Sequence, residues 1–240
     1  MKALSICFEN DYFMVVEKPS GIAMHAGSGK SKDEKNIDEI LKSQCKDFAP
    51  YLTHRLDKPV SGLVIIAKNR YSAKIIEKLF QTRKIHKEYI TMVIGKIKTS
   101  GLITTDVVEN KKSFSAKTVY NRIAFFGGYS LVKVQLFTGR KHQIRKHFVS
   151  IQHPIIMDDQ YGNFEMNKEF KKKFGLKRIF LHSYRLKIPA FENMSQAVSL
   201  YSPLPKDLDY VLERFHIHLE PKAEKRPEEG WPEIKRAEKV

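Results

Sequence analysis

Apolar residues along this chain fall into short blocks with two different periods, and the blocks predict the elements. "DYFMVVEKPSG" reads as a compact apolar strand halted by a proline and glycine turn, with "AGSGKSKDEKN" after it as a polar loop. Ile37, Ile40, Leu41 and Cys45 then recur at helical spacing. "GLVIIAK" is a continuous apolar run of strand length, and Ile75, Ile76, Leu79 and Phe80 mark one face of an amphipathic helix. "KEYITMVIGKI" alternates as a long strand does, while "KTVYNRIAFF" and "YSLVKVQLFTG" predict a strand pair around Gly127 and Gly128. Ile144, Phe148 and Ile151 stripe a helix that begins in "GRKHQIRKHFVSI", and a charged helix follows at "EMNKEFKKKF". Two late strands, "RIFLHSYRLKI" and "QAVSLYSPL", precede a closing helix marked by Leu208, Val211, Leu212, Phe215 and Leu219. Strands dominate and do not alternate regularly with helices. An α+β fold with a mixed, largely antiparallel sheet is therefore expected, rather than a doubly wound one.

Composition sharpens this. A chain of 240 residues with 42% hydrophobic content can bury a proper core. Lys and Arg outnumber Asp and Glu by 43 to 27. From His216 onward six acids balance six bases, so all of the excess charge of +16 belongs to residues 1–215. That body is expected to be one domain, with 216–240 as a charged extension. A folded body this basic attracts polyanions. A membrane partner is not expected, because no uncharged run approaches the roughly 20 apolar residues of a spanning helix and "MKALSICFEND" reaches an acid too soon for a signal peptide. Cys7 and Cys45 have no metal-type spacing and form no disulfide framework, which suits a reducing cytoplasm and predicts two core thiols. "AGSGKS" matches the end of a phosphate-binding loop at Gly29, Lys30 and Ser31, but Met24 stands where its first glycine belongs. Without that glycine the backbone cannot wrap round phosphates, and an NTPase is the weaker reading.

Two basic clusters remain. In "HRLDKPVSG" the carboxylate of Asp57 stands among cations, with Pro59 and Gly62 fixing a turn ahead of a buried strand. Such an Asp is well placed to be a preorganised catalytic group, and spacing alone describes a turn cap equally well. In "TGRKHQIRKH" a glycine turn leads into a helix carrying Arg140, Lys141, His142, Arg145, Lys146 and His147. That set suits phosphate or carboxylate binding, or a merely solvated face. His142 and His147 lie five apart, unlike the i, i+4 pair of a zinc helix, so no metal is expected.

"HRLDKPVSGLVIIAKN" resembles the H-R-L-D-x-x-T-S-G signature of the RluA-type RNA pseudouridine synthases. "VVEKPSGIAMHAG", "KIHKEYITMVIGK", "TGRKHQIRKHF", "HPIIMDDQYG" and "FLHSYRLKI" resemble further blocks of that family in the same order, over residues 13–188. Val60 departs from the usual threonine, and Met157 from the glycine before Asp158. The resemblance implies the pseudouridine synthase fold with a central cleft, and a cofactor-free isomerisation that breaks the ribose C1′ to uracil N1 bond, rotates the base and rejoins it through C5. It implies Asp57 as the catalytic carboxylate and Arg145 as the cation that keeps it ionised. Tyr89 would lie against the uracil as a stacking face or as a proton acceptor at C5. His54, Arg55, Arg140, His142, Gln143 and Leu181 would meet the substrate, Leu181 packing on the base and Arg55 filling the gap left by the extruded nucleotide. The partner would be structured ribosomal or transfer RNA, bound by a monomer. The chain starts near the first strand of the motif series, so no N-terminal S4 domain is expected, and the loop at 27–36 would help hold RNA. A catalytically silent RNA-binding protein is the alternative.

Overall fold

In a computed structural model, residues 3–26, 36–191 and 194–219 are described. The basic loop at 27–35 with its glycine-lysine-serine stretch, and the extension from 220, lie outside the described residues. Among the described residues, twelve strands and five helices follow in the order β1 (Ser5–Glu9), β2 (Phe13–Lys18), α1 (Ile37–Gln44), β3 (Tyr51–Leu52), β4 (Ser61–Ala67), α2 (Arg70–Gln81) and β5 (His86–Ile94). Then come β6 (Ser100–Ile103), β7 (Val107–Glu109), β8 (Lys112–Phe114), β9 (Thr118–Phe126), β10 (Tyr129–Leu136), α3 (Gln143–Ser150), α4 (Phe164–Phe174), β11 (Leu181–Ile188), β12 (Val198–Tyr201) and α5 (Lys206–Glu213).

One large sheet carries the molecule. Its order is β1-β2-β4-β11-β5-β10-β9-β6, with β3 also on β4 and β12 on β11. Every pairing is antiparallel except β11 with β4, where Ser61 opposes His182 and Gly62 opposes Ser183. The reason the apolar run in β4 does not alternate is that both its faces are covered. Val64 and Ile66 join a core with Tyr89, Val134, Ile144 and Phe148, while Leu63, Ile65 and Ala67 face Ala73, Ile76 and Leu79 of α2. A third core packs Ile90 and Met92 against Phe170 and Phe174 of α4 and against Leu208, Val211 and Leu212 of α5. Each core leaves one face of the sheet dry; the first lies beneath the groove described below.

Local chemistry sets the helix ends. Asn36 caps α1 reciprocally with Glu39, Asn69 caps α2 and Asn163 caps α4, whose other end turns off at Gly175 in the left-handed region. The closing helix stops at Glu213, earlier than the apolar spacing predicts, although Phe215, Ile217 and Leu219 still pack on the third core. Cys7 also departs from expectation. It is exposed on the edge strand β1, while Cys45 is half-buried against the first core, and both thiols are free. Met24, at the position a phosphate loop would give to glycine, is buried in the first core.

Candidate active site

The stretch from Thr53 to Val60 is stitched to the sheet on both sides. After the short ladder of β3 on β4 ends, side chains take over: Thr53 Oγ1 donates to the Ile65 carbonyl at 3.2 Å, and the Ile65 N–H donates to His54 Nε2 at 2.9 Å. Desolvation, with Lys87 adding repulsion, pulls the His54 imidazole down to about 3, so it is a neutral acceptor at ordinary pH. Beyond it, Asp57 to Val60 close a turn through the Val60 N–H and the Asp57 carbonyl, 3.0 Å apart. A second turn clamps the first. Buried Lys18 donates to the carbonyls of Pro19, Ile22 and Lys58, the Gly21 N–H donates to Lys58 at 2.8 Å, and Ser20 Oγ to Pro59 at 2.7 Å. Burial pulls the Lys18 amine down to about 7, against the pull of Asp57. Gly62 does not make the turn, as the sequence suggested. It lies within β4, where a Cβ would stand 2.3 Å from the Ser183 carbonyl oxygen, so glycine is what permits the parallel contact with β11.

Asp57 therefore sits on a fixed platform facing α3. Its Oδ2 is 3.6 Å from Arg145 Nη1, and its Oδ1 is 3.7 Å from His142 Nε2. Neither is a hydrogen bond, and its side chain is 14% exposed. Arg145, by contrast, is 3% exposed and bound firmly elsewhere: Nε and Nη2 each reach an oxygen of Asp158 at 2.7 Å. Burial opposes ionising Asp158, but Arg145 and the N–H groups of Tyr161 and Gln160 outweigh it and hold the carboxyl below its usual range. Tyr161 lies with its ring 4.9 Å from the guanidinium carbon and its hydroxyl 2.9 Å from His142 Nδ1. His142 occupies the left-handed region at φ 56° just before α3; burial lowers its pKa despite the nearby Asp57.

These groups open on a groove of about 340 Å³ lined by Asp57, Tyr89, Leu181, His142 and Arg145, with Arg55, Lys87, Arg140 and Lys141 among its cations. Tyr89 and Ser183 are opposed on β5 and β11 and share a side-chain hydrogen bond. Leu181, two residues earlier on β11, falls on the same face. Burial, reinforced by the charge of Asp57, raises the Tyr89 phenol, so it stays protonated and is a poor proton acceptor. Arg55 is exposed and unpaired among the described residues. Arg140 stacks on Phe114 at 5.1 Å. Gln143 also lines the groove, with its side chain engaged by the protein. Its carbonyl accepts from Thr138 Oγ1 and the Arg140 N–H, and its amide donates to Lys117 and Thr118, so every polar atom is spent on holding the turn before α3. His54 lines the groove, but its Nε2 is likewise engaged.

Lys87 was missed in the sequence. It stands two residues before Tyr89, and strand period puts it on the same face, so the signal was present. Its amine lies 5.2 Å from the Phe80 ring with no acid paired to it among the described residues, and burial pulls it down to about 8. No three His, Cys, Asp or Glu side chains among the described residues cluster as metal ligands, and no described helix is long and apolar enough to cross a membrane.

A mixed, largely antiparallel sheet flanked by helices thus gathers a carboxylate, a buried guanidinium and a tyrosine around one basic groove, a lining that suits a polyanionic partner. Residues 12–150 match the family model described as RNA pseudouridylate synthase, and the chain belongs to that family of isomerases. It is 29% identical over 219 residues to the ribosomal large subunit pseudouridine synthase C of Vibrio cholerae, covering 86% of this chain and 68% of that one. It is 31% identical over 220 residues to synthase C of Yersinia pestis, covering 86% and 68%. Over 231 residues it is 30% identical to the ribosomal large subunit pseudouridine synthase D of Nitrosomonas europaea, covering 88% and 64%. The solved structure of human RNA pseudouridylate synthase domain containing 4 superposes with a TM-score of 0.75 at 23% identity, over 90% of this chain and 94% of that one, which shows the shared fold.

Proposed function

We propose that this chain isomerises uridine to pseudouridine in large-subunit ribosomal RNA, with Asp57 as the reacting carboxylate. One observation carries the reading: Asp57, Arg145, Tyr89 and Leu181, spread over 125 residues of sequence, converge on one groove with unpaired cations at its mouth. Ribosomal RNA is favoured over transfer RNA because the relatives are ribosomal large subunit pseudouridine synthases. A base cannot be turned over within a stack, so the target nucleotide is extruded into the groove, Arg55 supports the gap, and Tyr89 and Leu181 enclose the ring. Asp57, negative beside Arg145, either attacks the nucleotide or removes a ribose proton as the C1′–N1 bond breaks. The base rotates and C1′ bonds to C5 as Asp57 is released from the nucleotide or gives the ribose proton back; the C5 proton then leaves to water and N1 gains one from water. Tyr89 acts by stacking, since its phenol is held protonated. A ribosomal RNA substrate would support a cytoplasmic location.

The test is tritium release from large-subunit RNA carrying C5-tritiated uridine. Release by the full chain is expected; an RNA bound tightly without release would mean a silent binding protein.

A further inference from the structure

We propose that Asp158 is a positioning residue of the reaction: it anchors the Arg145 guanidinium so that Asp57 gains a cation nearby without being tied to it. The inference rests on the function proposed above.

A carboxylate that is to attack carbon or take a proton needs a free lone pair. A two-point pair with arginine at 2.7 Å would engage both of its oxygens. Arg145 makes that pair with Asp158, leaving Asp57 at 3.6 Å with no protein hydrogen bond on its side chain among the described residues. The arrangement holds because the loop bearing Asp158 is itself fixed. Ile156 N–H donates to the Met92 carbonyl and Ile94 N–H to that of Pro154, joining the loop to β5. Asn167 then accepts from the Met157 N–H and donates to the Asp158 carbonyl, both at 2.8 Å. Gly162 lets the chain close, since a Cβ there would lie 2.3 Å from the Asp158 carbonyl oxygen. Met157 takes the left-handed backbone at φ 61° that the turn demands. Asp158 also accepts from the Gln160 and Tyr161 N–H groups at 3.0 Å, which aims its two oxygens at the arginine and sets the Tyr161 ring against it. Remove the charge of Asp158 and the guanidinium is free to close on Asp57.

The experiment is a double-mutant cycle with Asp158→Asn and Arg145→Lys in the full chain, read by single-turnover tritium release from C5-labelled large-subunit RNA, with RNA affinity and melting temperature measured alongside. Asp158→Asn is expected to lower the rate 10- to 100-fold (about 1.4 to 2.7 kcal/mol) with RNA affinity changed less than threefold. In the Arg145→Lys background the same change is expected to cost much less, because lysine cannot hold both carboxylates as a planar fork. Equal losses in both backgrounds, or a folded Asp158→Asn at wild-type rate, would overturn the proposal. If Asp158→Asn does not fold, Asp158→Glu is read instead: retention of most activity supports the role, and a folded but inactive Glu variant refutes it. Asp57→Asn in the same assay separates the two levels. Wild-type release lost in Asp57→Asn but unaffected by Asp158→Asn rejects only the positioning role, whereas no wild-type release rejects the function itself.

Discussion

At the scale of single residues, the site balances three acids against one deeply buried arginine. Arg145 touches Asp57, Asp158 and Asp159, so Arg145→Leu leaves two poorly exposed carboxylates without their cation. Loss of isomerisation and of about 3 to 5 kcal/mol of stability is expected, by tritium release and urea unfolding. A wild-type rate in that variant would remove Arg145 from the chemistry. Lys87 belongs to a different part of the account: unpaired and facing the groove, it is expected to meet RNA phosphate. Lys87→Ala should weaken RNA binding about 3- to 10-fold in a filter-binding assay with little change in the single-turnover rate at saturation. What the sequence offered here was uneven. The spacing around Asp57 described a turn cap as well as a catalytic acid, and only the resemblance to a family singled it out. The pair of Arg145 with Asp158 spans 13 residues and depends on how a loop folds back, which no periodicity encodes. Gln143 was named for the substrate only through that resemblance, and its hydrogen bonds to Thr138, Arg140, Lys117 and Thr118, which hold the turn before α3, lie beyond what spacing shows.

At the scale of elements, two neutral histidines join strands. His54 accepts from β4, and His182 on β11 lies 2.9 Å from Ser61 on β4, which also accepts from Arg178. Burial pulls His182 down to about 4 and His54 to about 3, both below the ordinary 6.5. With the folded values depressed, the unfolded chain binds more protons between 6.5 and about 4. Stability is therefore whole above about 6.5 and falls as the pH drops through that window, by on the order of 2 kcal/mol per histidine at about pH 4.5. Urea midpoints at several pH values should show this, and His182→Asn should flatten the profile; an unchanged slope would contradict it. Gly62→Ala tests the one parallel contact. The added carbon clashes with the Ser183 backbone at a φ of 115°, and a loss of about 3 kcal/mol or more is expected in the same assay. Long elements were legible because their periods are long. β6, β7 and β8, in "SGLITTDVVENKKSF", are too short and too polar to show one, and β1 is exposed along nearly its whole length at the sheet edge, so no buried face marks it.

For the whole molecule, the excess charge belongs to residues 1–215 and gathers in part at the groove, where Arg55, Arg83, Lys87, Arg140 and Lys141 stand around Asp57. Four phosphate contacts from such a set would make RNA affinity fall about 50-fold between about 50 and 200 mM salt, whatever the state of Asp57. Binding and chemistry are thus separable, and that separation gives the most direct test of the central claim. Asp57→Asn keeps the size of the side chain and removes its charge. In single-turnover tritium release from C5-labelled large-subunit RNA at saturating protein, the account predicts a rate at least about 10³-fold below wild type with RNA affinity nearly unchanged. A variant that still releases tritium at a comparable rate would show that the carboxylate of Asp57 does not carry the reaction.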